Sequence, residues 1–407
     1  MIEHGENLCI IGVSRNLIRK EIKMEKLYYR IPYIRQFEAK VVSCEKGKKG
    51  FEVILDRTAF YPEGGGQPSD TGTLGTARVL DVHERGEEVI HYTDQELQEG
   101  QTVTGAIDWD SRFSNMQQHS GEHIVSGLIH GRYGYDNVGF HMGHEEMTID
   151  LNGILTWEEL MEIEKEANEI VFANRQIKAT YPSEEELQKL DYRSKKELSG
   201  RVRIVEVPGA DCCACCGTHV EYTGEIGAVK FLSMIHYKGG VRISMLCGAK
   251  AMEDYRRKTD QTAAISNLLS AKPDRLKEAV ERLKNEAAEK DARIGALTRE
   301  LLNLKVKQYE AGQKLLLVFE TGMTALQIRQ FCDRLLEGGK AETAAVFSED
   351  AKGGFNYCAG SRSFDMRQAG KTLNGKLNGR GGGSAQMIQG TFKASEEEIR
   401  NVFEEIF

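Results

Sequence analysis

The sequence predicts an α+β, multidomain protein. Its parts are an N-terminal β-barrel, an α+β domain holding histidines and cysteines, a coiled-coil helical linker and a C-terminal α/β domain. Three observations predict this. At 407 residues the chain exceeds one ordinary domain, since domains run to roughly 150 residues. Short apolar runs broken by glycine give way after residue 110 to helical periodicity. Residues 255–311 are then densely charged and carry an apolar stripe.

The first 23 residues show no clear period. Lys20-Glu21 can be encoded as AAGGAG, a bacterial ribosome-binding sequence, so Met24 competes with Met1 as the start. Residues 1–23 are read as an N-terminal extension, either untranslated or a frayed arm. From 24 to 110, segments such as "AKVVSC", "GFEVILD" and "TVTGAIDW" alternate with turns and predict the barrel. Residues 111–131, 157–174 and 183–191 read as helices, the second opening on Thr156 with Glu159 three residues on, a capping box. Strand-like "RVRIVEV", "GAVKFLSMIHY" and "VRISML" complete 111–254.

In the linker, 255–312, Leu276, Val280, Leu283, Ala287, Lys290, Ile294, Leu297, Leu301 and Leu304 alternate at spacings of four and three. That stripe predicts a coiled coil able to pair two chains, against a hairpin or one helix packed on the body. Pro273 suits a first helical turn. Residues 313–407 alternate strand and helix and end in the α/β unit. Within 351–393 stand seven Lys/Arg (Lys352, Arg362, Arg367, Lys371, Lys376, Arg380, Lys393) against Asp365 alone, a local +6 in a chain of net charge −8. With Gly381 and Gly382 baring backbone, this is a candidate phosphate-contact surface centred on Lys371, Lys376 and Arg380, or a solvated basic face. The chain has no run approaching the ~18 apolar residues of a membrane span and no secretory leader, so cytoplasmic residence is expected.

The chemistry concentrates in two segments. "QQHSGEHIVSG" sets His119 and His123 one helical turn apart on one face, and "DCCACCGTHV" sets Cys215 and His219 four apart. Three imidazoles and a thiolate suit one Zn²⁺ per chain. A zinc protease is excluded because Ser120 stands where a catalytic Glu would follow the first His, and Glu122 lies elsewhere on the turn. His130, His141 and His144 are weaker candidates. The Cys-x-x-Cys pairs, Cys212/Cys215 and Cys213/Cys216, allow a redox reading, but no helix follows to lower a thiol pKa. "DRTAFYPEGGGQPSDTG" is a third signal: Gly64–Gly66 permit close backbone approach and would present Gln67 and Thr58 to something small, unless they form only a barrel corner.

Together TxFYxxxGGQxxDxG, HxxxH and CxGTH resemble the editing domain of alanyl-tRNA synthetase and the free-standing AlaX-type editing proteins, over about residues 25–250. The tail, with "NGRGGGSAQMIQG", is similar to the DHH-associated domain of the same synthetase. The resemblance implies a zinc-binding editing domain at 111–254 and a DHH-associated domain at 313–407. It implies hydrolysis of Ser-tRNA, and of Gly-tRNA as a further candidate, wrongly made on the tRNA for alanine. Under this resemblance no room remains for the synthetase's large aminoacylation domain, so charging of tRNA is not expected.

The implied metal set is His119, His123, Cys215 and His219. Gln67 and Thr58 are the implied catalytic pair, with Thr58, Gly65, Gly66 and Gln67 around the substrate and Thr58 against the seryl hydroxyl. Lys371, Lys376, Arg380, Gly381 and Gly382 would contact tRNA. Zinc would either act as a Lewis acid or position substrate, and no general base stands out. Cys216 departs from the family, which usually has glycine there, and leaves open whether Cys212, Cys213 or Cys216 replaces Cys215 as ligand. The competing readings are a non-enzymatic zinc-stabilised tRNA-binding module and a generic zinc hydrolase.

Overall fold

Alternation of apolar and polar side chains is the first structural determinant. In Gln36–Gly47 every second residue from Phe37 to Val41 points inward, the period of a half-buried strand. The computed structural model describes residues 24–48, 50–143, 145–194, 201–350 and 353–407. The expected extension, His144 and Lys352 lie outside them. Contacts divide the chain into two units, 1–262 and 263–407.

In the first unit six strands close into a ring in the order Gln36–Gly47, Gly50–Leu55, Glu88–Thr93, Ala77–Arg85, Gly72–Leu74, Thr102–Ile107. All neighbours are antiparallel, and closure leaves no free edge. Phe37, Val53, Leu55, Phe60 and Val82 fill the interior. A buried ion pair ties this ring to the next element. Arg112 donates to Asp70, and also to Ala59 O at 2.6 Å and Pro32 O at 2.8 Å. Such a pair fixes register more than it stabilises, because desolvation offsets the attraction.

Helix Trp109–Tyr133 follows, capped by the Asp108 side chain on Ser111 N and ended by Gly134 in the left-handed region. It is buried along most of its length because glycine thins two contacts: a Cβ on Gly121 would lie 2.3 Å from Cys247 Sγ, and one on Gly127 2.2 Å from Ala210 O. Around it lie a four-stranded antiparallel sheet (Val229–Tyr237, Gly240–Cys247, Met147–Leu151, Asn137–Met142) and a three-stranded one (Lys178–Thr180, Ile204–Val207, Asp211–Ala214). Helix Trp157–Phe172 carries the capping box of Thr156 and Glu159. Leu160, Ile163 and Ala167 join the core shared with the helix and sheets.

The second unit holds helix Leu276–Lys307 and a five-stranded sheet in the order Gln313–Glu320, Ala341–Glu349, Phe355–Ser361, Met387–Phe392, Arg380–Gly383. Helices Ala325–Glu337, Met366–Lys376 and Glu396–Ile406 contribute to its two apolar clusters.

The expected fold class needs correction. The strand ring is not a separate N-terminal barrel domain but part of one unit that runs to residue 262. No coiled coil forms among the described residues. Val280, Leu283, Ile294, Leu297, Leu301 and Leu304 are 47–60% exposed, while Ala279 and Leu302, one residue off the stripe, are the helix's buried positions. Leu302 packs with Phe331 and Leu335, so packing within the unit rotates the helix away from its heptad face. The final domain is also not α/β in the wound sense. Only Gln313–Glu320 and Ala341–Glu349 run parallel; the other pairings are antiparallel. No helix among the described residues is long and apolar enough to cross a membrane.

Candidate metal centre

The spacing of four on helix Trp109–Tyr133 puts His119 and His123 on one face, their ring centroids 5.4 Å apart. Strand Asp211–Ala214 leads into Cys215, and the loop after it returns His219 to within 4.5 and 4.8 Å of those rings. The available ligand atoms of His119, His123, Cys215 and His219 all lie within 4.8 Å of one another.

Each imidazole is oriented through its Nδ1. His119 Nδ1 is 2.9 Å from Gln67 Oε1, His123 Nδ1 is 2.7 Å from Asp211 Oδ2, and His219 Nδ1 is 3.4 Å from Ser120 Oγ. This leaves the Nε2 atoms for the common point, with His119 Nε2 3.4 Å from Cys215 Sγ. His219 Nε2 is buried with no hydrogen-bond partner. A native core rarely leaves such an atom orphaned, and a metal ion satisfies it. The donor set of three imidazoles and one thiolate therefore fits zinc.

Electrostatics separate the cysteines. Burial pushes the Cys215 thiol up, but His119, His219 and His123 outweigh it and hold the thiol well below its ordinary value. Burial, reinforced by Asp211, pushes Cys213 up to about 12. Burial also holds His219 down at about 3. For His123 burial is overcome by the Cys215 thiolate and the Asp211 hydrogen bond, which raise it to about 10. Asp211 is itself gripped by Arg193, whose Nε and Nη2 donate at 2.8 and 2.9 Å. Asp211, Cys213 and His123 also converge, but both Asp211 oxygens are engaged by Arg193 and His123.

Gln67 is wholly buried and spent on the scaffold. Its Oε1 accepts from Thr218 N at 3.1 Å as well as meeting His119, and its Nε2 donates to Thr218 Oγ1 at 2.8 Å. Gly65 and Gly66, at φ 61° and 87°, make the turn that closes Gly64 on Gln67, as two-residue turns require. Gly66 docks on the neighbouring strand: Met142 N donates to its oxygen at 3.0 Å, and a Cβ would strike Phe140 O at 2.5 Å. Thr58 is buried on the short strand Arg57–Thr58, which pairs with Glu25–Lys26 rather than joining the ring. Its hydrogen bonds run to His91 Nε2 at 2.8 Å and Phe60 N at 3.1 Å, not to the four ligands.

The weaker candidates fall away from the centre. His130 lies 3.0 Å from Asp136, and His141 is exposed. Glu122 accepts from Ser126 Oγ at 2.7 Å and Asn137 Nδ2 at 2.5 Å. In the second unit Arg380, Gly381 and Gly382 lie on an exposed edge strand, Lys371 is exposed, and Lys376 pairs with Glu405.

Residues 13–111 match the family profile of tRNA synthetases class II (A). Residues 202–244 match the threonyl and alanyl tRNA synthetase second additional domain, and residues 312–407 the DHHA1 domain. The alanyl-tRNA editing protein AlaX-L of Pyrococcus horikoshii is 28% identical over 93% of this chain and 97% of its own length. The chain is thus similar over nearly its whole length to the AlaX-L type of alanyl-tRNA editing protein.

Alanine–tRNA ligase of Pyrococcus abyssi is 31% identical over 94% of this chain. The chain spans 43% of that ligase and 33% of the ligase of Ignicoccus hospitalis. Among solved structures the C-Ala domain of Aquifex aeolicus alanyl-tRNA synthetase is 21% identical, covering 24% of this chain and 93% of its own at a TM-score of 0.22. Sequence reasoning had not named Ser120, Asp211, Arg193 or Thr218 as supports of the centre. Strand parity held a signal for Asp211, because 211 and 213 share the buried strand face and Cys215 follows two residues on.

Proposed function

We propose that this chain is a trans-editing hydrolase that cleaves the aminoacyl ester of Ser-tRNA for alanine, with Gly-tRNA for alanine as a further substrate, and spares Ala-tRNA. The observation that carries the reading is the convergence of His119, His123, Cys215 and His219 around the unpartnered, buried Nε2 of His219. One zinc ion held there would supply positive charge to stabilise the negative charge that develops on an ester carbonyl. The chain's own groups do the rest. Gln67, Asp211 and Ser120 fix the three imidazoles, and outer partners of this kind sustain metal affinity.

Thr58 would meet the seryl hydroxyl. Its oxygen already accepts from Phe60 N and lies beside His91, so its remaining capacity is defined in direction. A polar group left unpaired when alanine enters costs about 1–3 kcal/mol, which favours serine. Small apolar differences alone give a synthetase too little discrimination, hence a second sieve. Lys371, Lys376 and Arg380, with the bared backbone of Gly381 and Gly382, would hold tRNA phosphates. The work belongs in the cytoplasm, where tRNA is charged.

The test is release of labelled serine from Ser-charged alanine tRNA by full-length protein, metal-loaded, chelator-stripped or carrying His123→Ala. Release by the loaded protein alone supports the reading. A loaded protein that binds the tRNA and releases nothing leaves the non-enzymatic binding module in its place.

A further inference from the structure

Cys216, which stands where the family usually has glycine, has no task at the metal centre. It follows the ligand Cys215 and turns outward to an exposed position. Its thiol and the Tyr29 side chain are neighbours. The guanidinium of Arg203 lies 5.7 Å from the centre of the Tyr29 ring. That same guanidinium is fastened to the ligand loop, since its Nη1 donates to Cys215 O at 2.9 Å and Gly217 O at 3.0 Å. Arg203 is 5% exposed, yet its Nε has no acceptor.

Strand Lys178–Thr180 pairs with Ile204–Val207, Thr180 opposite Ile204, and this register brings Tyr181 beside Arg203. Tyr181 is 37% exposed and carries the Arg201 guanidinium 4.5 Å above its ring. Glu84, whose charge acts on Tyr29, is paired with Lys26. Core packing accounts for the inner half of the cluster, where Tyr28 and Tyr61 meet edge to face. It does not account for the outward Tyr181–Arg201 pair.

Aromatic rings and guanidinium planes at a surface are the chemistry of nucleobase stacking, which suits unpaired RNA because every base has a π face. We propose that Tyr29, Tyr181, Arg201 and Arg203 form a stacking subsite for the terminal base of single-stranded RNA, the nucleotide whose ribose carries the scissile ester. The subsite rests on the hydrolytic reading above. A base held beside Cys216 sets its ribose, one bond away, over the loop that carries Cys215. Arg203 then has a donor for an acceptor on the incoming nucleotide, and Cys216 with Tyr29 forms the floor between base and metal centre.

The probe is a four-nucleotide RNA ending in 2-aminopurine, whose fluorescence is quenched on stacking, titrated into full-length protein at high salt to suppress backbone attraction. Wild type and Tyr181→Phe should quench it, and Tyr181→Ala should bind roughly 10- to 100-fold more weakly. With Ser-charged tRNA the Tyr181→Ala variant should show a raised KM and a nearly unchanged kcat. Equal quenching by Tyr181→Ala and wild type overturns the subsite, as does a fall in kcat alone. If quenching behaves as expected but no charged tRNA is hydrolysed, the hydrolytic reading fails and the subsite stands. If hydrolysis proceeds and quenching ignores Tyr181, the reverse holds.

Discussion

Replacing Asp211 with asparagine isolates what an outer carboxylate contributes to the metal centre. Asp211, its side chain 1% exposed, meets His123 Nδ1 at 2.7 Å and receives Arg193 Nε and Nη2 at 2.8 and 2.9 Å. Asparagine keeps the shape but turns one acceptor into a donor, so either His123 or Arg193 faces donor against donor. Removing one partner of a buried pair costs about 3–5 kcal/mol. The Arg193 side chain keeps 13% exposure, which puts the loss in metal-free stability near the lower end, about 3 kcal/mol. Losing the outer partner of a ligating histidine costs roughly 10- to 100-fold in metal affinity, or about 1.4–2.8 kcal/mol. Zinc affinity is read by competition with a chromophoric chelator, and stability by urea unfolding of the stripped protein. Affinity unchanged to within about twofold would refute the claim that Asp211 orients His123 for the metal.

Other predictions follow from the same geometry. Gly217→Ala would place a Cβ 2.1 Å from His119 Cε1 and 2.3 Å from its Nδ1; the variant should lose bound zinc, and full zinc content per chain contradicts the packing described. Lys371→Ala and Arg380→Ala should each weaken tRNA binding and flatten its salt dependence by about 0.7–0.9 per contact; titrations across salt concentrations read this, and an unchanged slope removes that surface from the interface. Burial holds the His91 imidazole down at about 4, below its ordinary value near 6.5. The unfolded chain therefore binds the extra proton first, so the contribution of neutral His91 is full above about pH 6.5 and lost as pH falls toward 4, in total roughly 3 kcal/mol. Urea unfolding at pH 7 and pH 5 should show His91→Gln losing less stability on acidification than wild type; equal losses contradict the assignment.

What the sequence disclosed and withheld follows contact range. His119 and His123 were legible because helical spacing alone puts them on one face, and Thr156 with Glu159 because a capping box is local. Gln67 was legible as part of a motif but not in its role, since its bonds to His119 and Thr218 join segments 52 and 151 residues apart. Ser120 read as the residue that breaks a protease motif; in the fold its hydroxyl accepts from Val220 N and faces His219. The heptad stripe misled because periodicity reports that a face is apolar, not which face its own unit buries. Ala279 and Leu302 take that part instead. The final sheet read as α/β because strands and helices alternate in sequence, although hairpin-like antiparallel pairing dominates after the first two strands.

The central claim is selective deacylation, and the ratio of rates on seryl and alanyl esters of one tRNA tests it most directly. Full-length, zinc-loaded protein is given the alanine tRNA charged with labelled serine, glycine or alanine, and single-turnover release is followed. The account predicts rapid release of serine, with alanine slower by at least the roughly 5- to 150-fold that one unpaired polar group of about 1–3 kcal/mol implies. Release of alanine as fast as serine would contradict it.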